Sequence, residues 1–253
     1  QAAFETSAGT LGAFAANEVQ RKITEVETTL HQQDGQMVVK GSKSWVLART
    51  EDLTLFVLAR RDGGPATGPG SLCIVRLWAR SLGVDFGDAR AQAVVPEMPH
   101  SAIRLQSVVE PSDALAGDGY ADYAKPFRLR EDVFVTACTL AYLLSESHTG
   151  SWPTAWSQRA VAAVTLLEAC SRRDPRQVET ILLTAGALSV AGDLIREAEQ
   201  LWAPQQQSAR ERWLRDKAIL ALGKDARRRR TLHSWRALGR MDGDEPDGPR
   251  AYE

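Results

Sequence analysis

Residues 34–47 read Asp-Gly-Gln-Met-Val-Val-Lys-Gly-Ser-Lys-Ser-Trp-Val-Leu, and this stretch decides the fold. The Asp-Gly pair separates two runs rich in β-branched residues, 24–30 and 37–41. Glycine accepts the positive φ that a tight hairpin turn needs, so the pattern predicts a β-hairpin. The run at 44–47 predicts a further strand directly after it.

More short strands are predicted on the C-terminal side of this hairpin. They lie at residues 53–59, 71–75, 93–95 and 102–105, and the glycine- and proline-rich loop 63–70 separates the first two. Regular, turn-separated strands without intervening helices are typical of a small antiparallel barrel or sandwich. We therefore predict a β domain over residues 1–126.

The periodicity becomes helical after Phe127. Apolar residues recur every three or four positions, which predicts helices at residues 131–147, 153–172, 174–202, 205–222 and 224–238. Ser151 and Asp174 are the predicted N-caps of the second and third helices. The expected fold class is thus α+β: the β domain, then an antiparallel bundle of four to five helices at 127–240, with a disordered tail at 241–253.

Composition excludes several classes of protein. The chain has 253 residues and a formal net charge of -1, which argues against a dedicated nucleic-acid binder. The three cysteines have no CxxC spacing and the four histidines lie far apart, so neither a disulfide framework nor a metal site is predicted. Residues 133–144 form the longest nearly apolar run, too short to span a bilayer, and no signal peptide is recognised. We expect a cytoplasmic protein.

The amino-acid sequences of the predicted strands resemble motifs of the acyl-CoA dehydrogenase family. Residues 34–46 are similar to the hairpin motif dG-x-x-x-x-G-x-K-x-(W/F)-I-T of that family's middle β domain. Other segments match family patterns in the same order: 14–18 (F-A-x-T-E), 52–60 (A-d-x-f-x-v-x-A-R), 117–120 (G-x-G-(F/Y)) and 212–216 (R-x-x-R-D). Each motif is moderately specific, and their shared order carries the resemblance.

The resemblance implies a flavoprotein that binds FAD and an acyl-CoA thioester and forms homo-oligomers through its helical bundle. It places Trp45 on the aromatic residue that flanks the flavin. Asn17 replaces the family's flavin-bonding threonine and keeps a donor and an acceptor. Leu47 replaces a second threonine and has no hydroxyl group.

The sequence also departs from the family. The Gly-Ser-Asp turn after Glu18, the Gly-Gly-x-Gly loop, the Y-E-G-T segment that often carries the catalytic base, and the N-terminal helical domain have no counterpart. The catalytic residue is therefore unknown, and Glu131 or Asp132 is the candidate substitute. These departures favour a diverged, shortened member that acts as a binding or partner subunit without full dehydrogenase activity. The alternative is an FAD-dependent oxidoreductase that carries out α,β-dehydrogenation of an acyl thioester.

Three further features have competing interpretations. The arginine run at 227–230 can bind phosphate groups or nucleic acid, although an ion-pair network or a solvated face is the favoured interpretation. Lys43 is expected to be solvated. Five of the seven tryptophans lie in the predicted bundle, where they would anchor its core or an oligomer interface.

Overall fold

A computed structural model describes residues 11–23, 25–47, 53–64, 70–89 and 93–239. The chain divides into two compact units, Gln1–Phe127 and Arg128–Glu253. The first unit contains the strands and the second contains nearly all of the helical residues. The α+β class, with a β domain followed by a helical bundle, is therefore confirmed. The predicted tail at 241–253 lies outside the described residues.

Seven strands form one sheet within the described part of the β domain. They are β1 (Gly12–Ala15), β2 (Thr29–Gln33), β3 (Gln36–Leu47), β4 (Thr54–Arg61), β5 (Leu72–Trp78), β6 (Val84–Phe86) and β7 (His100–Val109). Residues 93–95 were predicted as a strand but form bends. Pro96 follows them directly and Val95 has φ +48°, so the local backbone does not continue as a ladder.

The sheet is mixed, whereas the sequence predicts antiparallel pairing throughout. Strands β2/β3, β3/β7, β4/β5 and β6/β7 pair antiparallel, but β1 and β2 both pair parallel with β4. Parallel neighbours cannot be joined by a tight turn and need a longer connection. Hairpin signals in the sequence therefore could not reveal these two pairings. Closure of the sheet into a barrel stays a prediction.

The predicted hairpin at Asp34-Gly35 is confirmed. Both residues have positive φ, +50° and +79°, and Gln33 pairs with Gln36 across the turn. The arm before the turn is shorter than predicted, because β2 begins at Thr29. The arm after it is longer, because the predicted strands 37–41 and 44–47 are one strand, β3.

A buried ion pair connects β3 to the segment that follows β1. Lys43 Nζ lies 2.7 Å from Glu18 Oε1, and the two side chains are 0% and 7% exposed. The Glu18 carboxylate also accepts hydrogen bonds from the backbone N–H groups of Glu27 and Thr28 and from the Thr28 hydroxyl. The expectation that Lys43 is solvated was wrong, since it is among the most buried side chains described.

The pKa values of the pair reflect burial and mutual attraction. Burial alone would raise the pKa of Glu18, but hydrogen bonds from Glu27, Lys43 and Thr28 outweigh it and hold the pKa below its ordinary value. Burial lowers the pKa of Lys43 to about 8, against the opposing attraction of Glu18. At neutral pH both groups are therefore charged.

The second unit contains five α-helices in the described residues. They are α1 (Lys125–Gly150, of which 128–150 lie in this unit), α2 (Thr154–Ser171), α3 (Val178–Ala198), α4 (Gln207–Asp216) and α5 (Lys224–Ala237). The predicted caps were wrong. Pro153 occupies the N-cap position of α2. Asp174 accepts the backbone N–H of Arg176 at 3.0 Å in a turn ahead of α3, which begins four residues later.

Tryptophans form the centre of the bundle, as the core interpretation predicts. Trp156 is fully buried and donates from Nε1 to the carbonyl of Leu194 at 3.0 Å. Trp152 packs edge-on against Trp156 and Trp202, with ring centroids 5.0 and 5.2 Å away. Buried Gln206 accepts from Trp152 Nε1 at 3.0 Å, so the indole N–H groups of Trp152 and Trp156 have partners, whereas those of Trp202 and buried Trp213 have none among the described residues.

Helix α3 is long and apolar enough to cross a membrane by length and composition alone, with a mean hydropathy of 1.6. Apolar residues around much of its circumference are also typical of a central bundle helix. One face, with Ile181, Ala187, Ala191, Leu194 and Ile195, is buried. This face packs against α2, as expected of a bundle helix.

Gly41 should be irreplaceable within β3. Its φ is +151°, and a Cβ atom there would lie 2.5 Å from Thr28 Oγ1 and 2.6 Å from Thr28 Cα. Gly41→Ala should lower the free energy of unfolding of the β domain by at least ~2 kcal/mol, through backbone strain and overpacking. Gly35→Ala is the matched control, because Gly35 has φ +79° but nothing within 4 Å of the added methyl group. Urea unfolding of both variants measures the difference, and equal losses would contradict the contact with Thr28.

The lowered pKa of Lys43 predicts a pH-dependent stability. Lysine in the unfolded chain titrates near 10.5, so between about pH 8 and 10.5 the unfolded state binds more protons than the folded state. The free energy of unfolding of the wild type should therefore rise across this window relative to Lys43→Met, by roughly 3 kcal/mol in all. Urea unfolding at pH 7, 8, 9 and 10 measures this difference. Lys40→Met, which removes an exposed lysine of the same strand, should show no such trend. A difference between the wild type and Lys43→Met that stays constant with pH would contradict the burial of the Lys43 ammonium group.

Candidate functional site

Trp45 lies on a β-bulge that turns its ring toward solvent. Lys43 pairs with Ile103 and Val46 with Ser101, so Ser44 and Trp45 together oppose a single residue of β7. Trp45 has φ +61°, which is rare for an aromatic residue, and it is 58% exposed while Ser44 and Val46 are buried. We call this feature the Trp45 bulge. Without the extra residue, strict alternation along β3 would place Trp45 on the same face as Lys43.

Asn17 lies beside the bulge and is tied to it through its backbone. Its carbonyl oxygen accepts from the backbone N–H of Ser44 at 2.9 Å and from the Ser44 hydroxyl at 3.3 Å. The residue is exposed. The fold therefore brings two of the sequence-predicted site residues, Asn17 and Trp45, to neighbouring positions at the end of β3.

Leu47, the third predicted site residue, has a different environment. It is half-buried and packs against the core of the β domain, close to Val46 in sequence but on the apolar side of the sheet. Its side chain has no polar atom. Leu47 can therefore support the position of β3 but contributes no hydrogen bond to a ligand.

These side chains meet part of what a flavin needs. A large planar ring system is bound by an aromatic face and by amide donors and acceptors, and Trp45 and Asn17 offer both at exposed positions. The hydroxyl group that the family resemblance would place at position 47 is missing. The fit to FAD is thus present for the aromatic wall and one amide.

A polar groove runs along the outer face of the sheet next to this end of β3. It consists of two depressions of about 410 and 220 Å³ that share Glu18, Glu27 and Ser42. The larger is also lined by Lys40 and Arg104, and the smaller reaches Ser44 and Ala102, which border the Trp45 bulge. The lining is charged and open, unlike the apolar pocket that a fatty acyl chain needs.

Asp132, one of the two candidate bases, is committed to two arginines. Arg227 Nη1 lies 2.9 Å from Asp132 Oδ1, and Arg230 Nη2 lies 2.6 Å from Asp132 Oδ2. The Asp132 side chain is 8% exposed. Arg227 also donates to the carbonyls of Leu220 and Leu222. Two members of the arginine run therefore form an ion-pair network within the bundle, which is the favoured interpretation of that run.

Glu131, the other candidate, is less constrained. Burial raises its pKa, the neighbouring Asp132 raises it further, and the Arg128 guanidinium opposes both. Arg128 Nη1 contacts Glu131 Oε2 at 2.5 Å, and each side chain is about 40% exposed. A carboxyl with a raised pKa is the property that a general base or acid requires.

No cluster of three or more histidine, cysteine or acidic side chains that could bind a metal occurs within the residues that the structure describes. Cys73 and Cys170 are buried and Cys138 is exposed, and all three are free thiols.

The pairing of Glu18 with Lys43 could not be predicted from the sequence. Each residue lies within a family motif, Glu18 in the segment 14–18 and Lys43 in the segment 34–46. The two motifs are separated by about 25 residues, and their contact depends on the parallel placement of β1 beside β4. Recurrence of an acid and a base in two motifs was the only signal, and it did not indicate pairing.

Several solved structures have a similar fold. FkbI, named for the biosynthesis of the methoxymalonyl extender unit of FK520, is 17% identical, with a TM-score of 0.70 over 92% of this chain and 71% of its own. Butyryl-CoA dehydrogenase from Megasphaera elsdenii is 18% identical, with a TM-score of 0.68 over 91% of this chain and 68% of its own. The FAD complex of PigA is 15% identical, with a TM-score of 0.62 over 91% and 68%.

No protein-family model and no curated protein matches the sequence. At 15–18% identity, the structural matches establish architecture and not activity. The matched regions cover residues of both units, and one of the matched proteins is a butyryl-CoA dehydrogenase. The chain therefore has an acyl-CoA dehydrogenase-like fold, comprising a β domain and a helical bundle.

Proposed function

We propose that this chain is a flavin-binding subunit with the acyl-CoA dehydrogenase-like fold, and that it lacks full dehydrogenase activity by itself. The single observation that supports this proposal most directly is the Trp45 bulge. A tryptophan held at positive φ with most of its ring exposed is conformationally costly, and such outliers concentrate at ligand sites.

In this proposal Trp45 supplies a face on which a flavin ring stacks, and Asn17 supplies an amide that bonds its polar edge. The backbone fixes the two residues relative to each other, because the Asn17 carbonyl accepts a hydrogen bond from the N–H of Ser44, the residue before Trp45. FAD, when bound, supplies the hydride-accepting chemistry. The chain's own residues orient the ring and cover one of its faces.

The lack of full activity is inferred from the state of the acids. Both carboxylate oxygens of Asp132 are occupied by the guanidinium groups of Arg227 and Arg230, so neither oxygen is free to contact a substrate. The groove beside Trp45 is polar and open, so water would enter beside a reacting thioester. Both features favour binding over catalysis.

The second candidate function is the FAD-dependent dehydrogenase itself. Its specific support is Glu131, whose pKa is raised by burial in the way that a base for proton abstraction requires. In this case the substrate would be an acyl-CoA thioester, as the name of the Megasphaera enzyme suggests for that protein.

The remaining features of the proposal concern partners and location. We propose that the bundle mediates homo-oligomer formation and that the protein acts in the cytoplasm. We do not propose nucleic acid as a partner, because Arg227 and Arg230 are engaged with Asp132. No role within a membrane is proposed for α3, one face of which is buried in the bundle.

Titration with FAD tests whether Trp45 and Asn17 bind the flavin. We call these two residues the flavin wall. The protein should bind FAD and quench its fluorescence, because stacking on an indole quenches the flavin. Trp45→Ala should weaken binding roughly five- to 150-fold, since stacking of a planar base on an aromatic side chain is worth about 1–3 kcal/mol. Asn17→Ala should weaken it about fivefold, the worth of one net hydrogen bond.

Trp78→Ala is the matched control for this titration. Trp78 is another exposed tryptophan of the β domain, 43% exposed, with the Arg80 guanidinium 5.5 Å from its ring centroid. Its loss should leave FAD affinity unchanged. Absence of FAD binding in the wild type, or equal losses for Trp45→Ala and Trp78→Ala, would overturn the proposed site.

Addition of butyryl-CoA to the FAD-loaded protein separates the two functions. We expect no bleaching of the flavin absorbance, and Glu131→Gln should behave like the wild type. Bleaching that Glu131→Gln abolishes would establish the dehydrogenase instead. Glu168→Gln is the control, because Glu168 is another helix acid of the bundle that is paired with an arginine, Arg172 at 2.5 Å.

A further inference from the structure

Two consecutive residues after β1 are attached to two consecutive residues of β3. Asn17 accepts the backbone N–H of Ser44 at 2.9 Å, and Glu18 accepts the ammonium group of Lys43 at 2.7 Å. The first contact involves Ser44, which is part of the Trp45 bulge. The second involves Lys43, which directly precedes the bulge in the sequence. Any movement of Glu18 relative to Lys43 therefore changes the geometry that Asn17 and Trp45 share.

The Glu18 carboxylate also fixes the chain on its other side. Its two oxygens accept from Glu27 N at 2.7 Å, Thr28 N at 3.0 Å and Thr28 Oγ1 at 2.7 Å. Thr28 in turn lies against Gly41 of β3 so closely that a side chain would not fit. One carboxylate thus connects the segment around Asn17, the start of β2 and the middle of β3.

We propose that Glu18 and Lys43 are positioning residues for the flavin wall, and that their ion pair holds Asn17 and the Trp45 bulge in place without touching the ligand. This inference rests on the proposed flavin-binding function. Lys43 is fully buried and Glu18 is nearly so, whereas Asn17 and Trp45 are exposed. The pair therefore acts from within the sheet on residues that face outward.

The bulge needs such a brace for a physical reason. A bulged residue leaves the ladder, and a tryptophan at φ +61° would relax toward regular pairing if β3 were free to shift by one residue. A one-residue shift would exchange the faces of Lys43 and Ser42 and place an ammonium group in solvent. The charge of Lys43, paired with a fixed carboxylate, therefore specifies the register on the N-terminal side of the bulge.

The experiment combines a structural and a binding readout. The protein is labelled with 5-fluorotryptophan, and the ¹⁹F resonances of Trp45 and Trp78 are assigned with Trp45→Phe and Trp78→Phe. Glu18→Gln keeps the shape of the side chain but removes its charge. We expect it to shift or broaden the Trp45 resonance, to leave the Trp78 resonance in place as an internal reference, and to weaken FAD binding about tenfold.

A matched control and a second variant keep the inference falsifiable. Asp113→Asn breaks another ion pair of the β domain, to Arg76 at 3.2 Å, and should change neither readout. Lys43→Met leaves Glu18 its three other donors, so it offers a milder route to the same shift if Glu18→Gln does not fold.

The outcomes of the two proposals are distinguishable. If wild-type protein binds no FAD, the proposed function fails, and the Trp45 resonance in Glu18→Gln still tests the positioning role. If FAD binds but both variants keep the wild-type Trp45 resonance and affinity, the positioning role is wrong and the flavin wall stands. A shift of Trp78 equal to that of Trp45 would also overturn it, because it would indicate a general loss of the β domain.

Discussion

The register of the β domain depends on a buried ion pair between Glu18 and Lys43. Charged groups removed from water lose solvation, so a pair such as Glu18–Lys43 is no guarantee of stability compared with apolar residues of equal size. It is costly to leave half-made, however, since an unpaired ammonium group in that position would have no water to solvate it. The pair therefore acts mainly as a constraint. Any arrangement of β3 that separates Lys43 from Glu18 is disfavoured, and the native register is the one that remains.

Other features of the domain follow from this constraint. Gly41 permits the close approach of Thr28, and Thr28 completes the donors of the Glu18 carboxylate. The parallel placement of β1 beside β4 brings the segment after β1 across β3. The bulge then resolves a conflict, because Lys43 must face inward while the following tryptophan faces outward, and strict alternation does not allow both.

The sequence predicted the local structure well and the long-range pairing poorly, for reasons that particular residues make clear. The Asp34-Gly35 hairpin depends on two residues whose φ preference is intrinsic, so it could be identified directly. The helices were found because apolar spacing reports the buried face of each one. Parallel pairing of β1 and β2 with β4 leaves no local signature. Lys43 was misjudged because burial of a lysine depends on a partner 25 residues away.

The candidate site divides in the same way. Trp45 and Asn17 could be proposed from their positions in the family motifs. Only the fold shows that a bulge exposes Trp45 and that the Asn17 carbonyl is hydrogen-bonded to Ser44. The candidate bases could not be ranked from sequence at all. Asp132 and Glu131 are adjacent, and what separates them is that Arg227 and Arg230, some 95 positions later, converge on Asp132.

Tryptophans in the two units occupy opposite environments. In the bundle, Trp156 is fully buried with its N–H satisfied by the Leu194 carbonyl, which is the state that maximises packing. Trp45 is the opposite case, since the chain adopts an uncommon φ in order to keep the ring in solvent. Folding alone gives no reason for this arrangement, because glycine at position 45 would relieve the strain and remove exposed apolar area. A planar ligand stacked on the exposed ring, as we propose for the flavin, would cover that apolar area again.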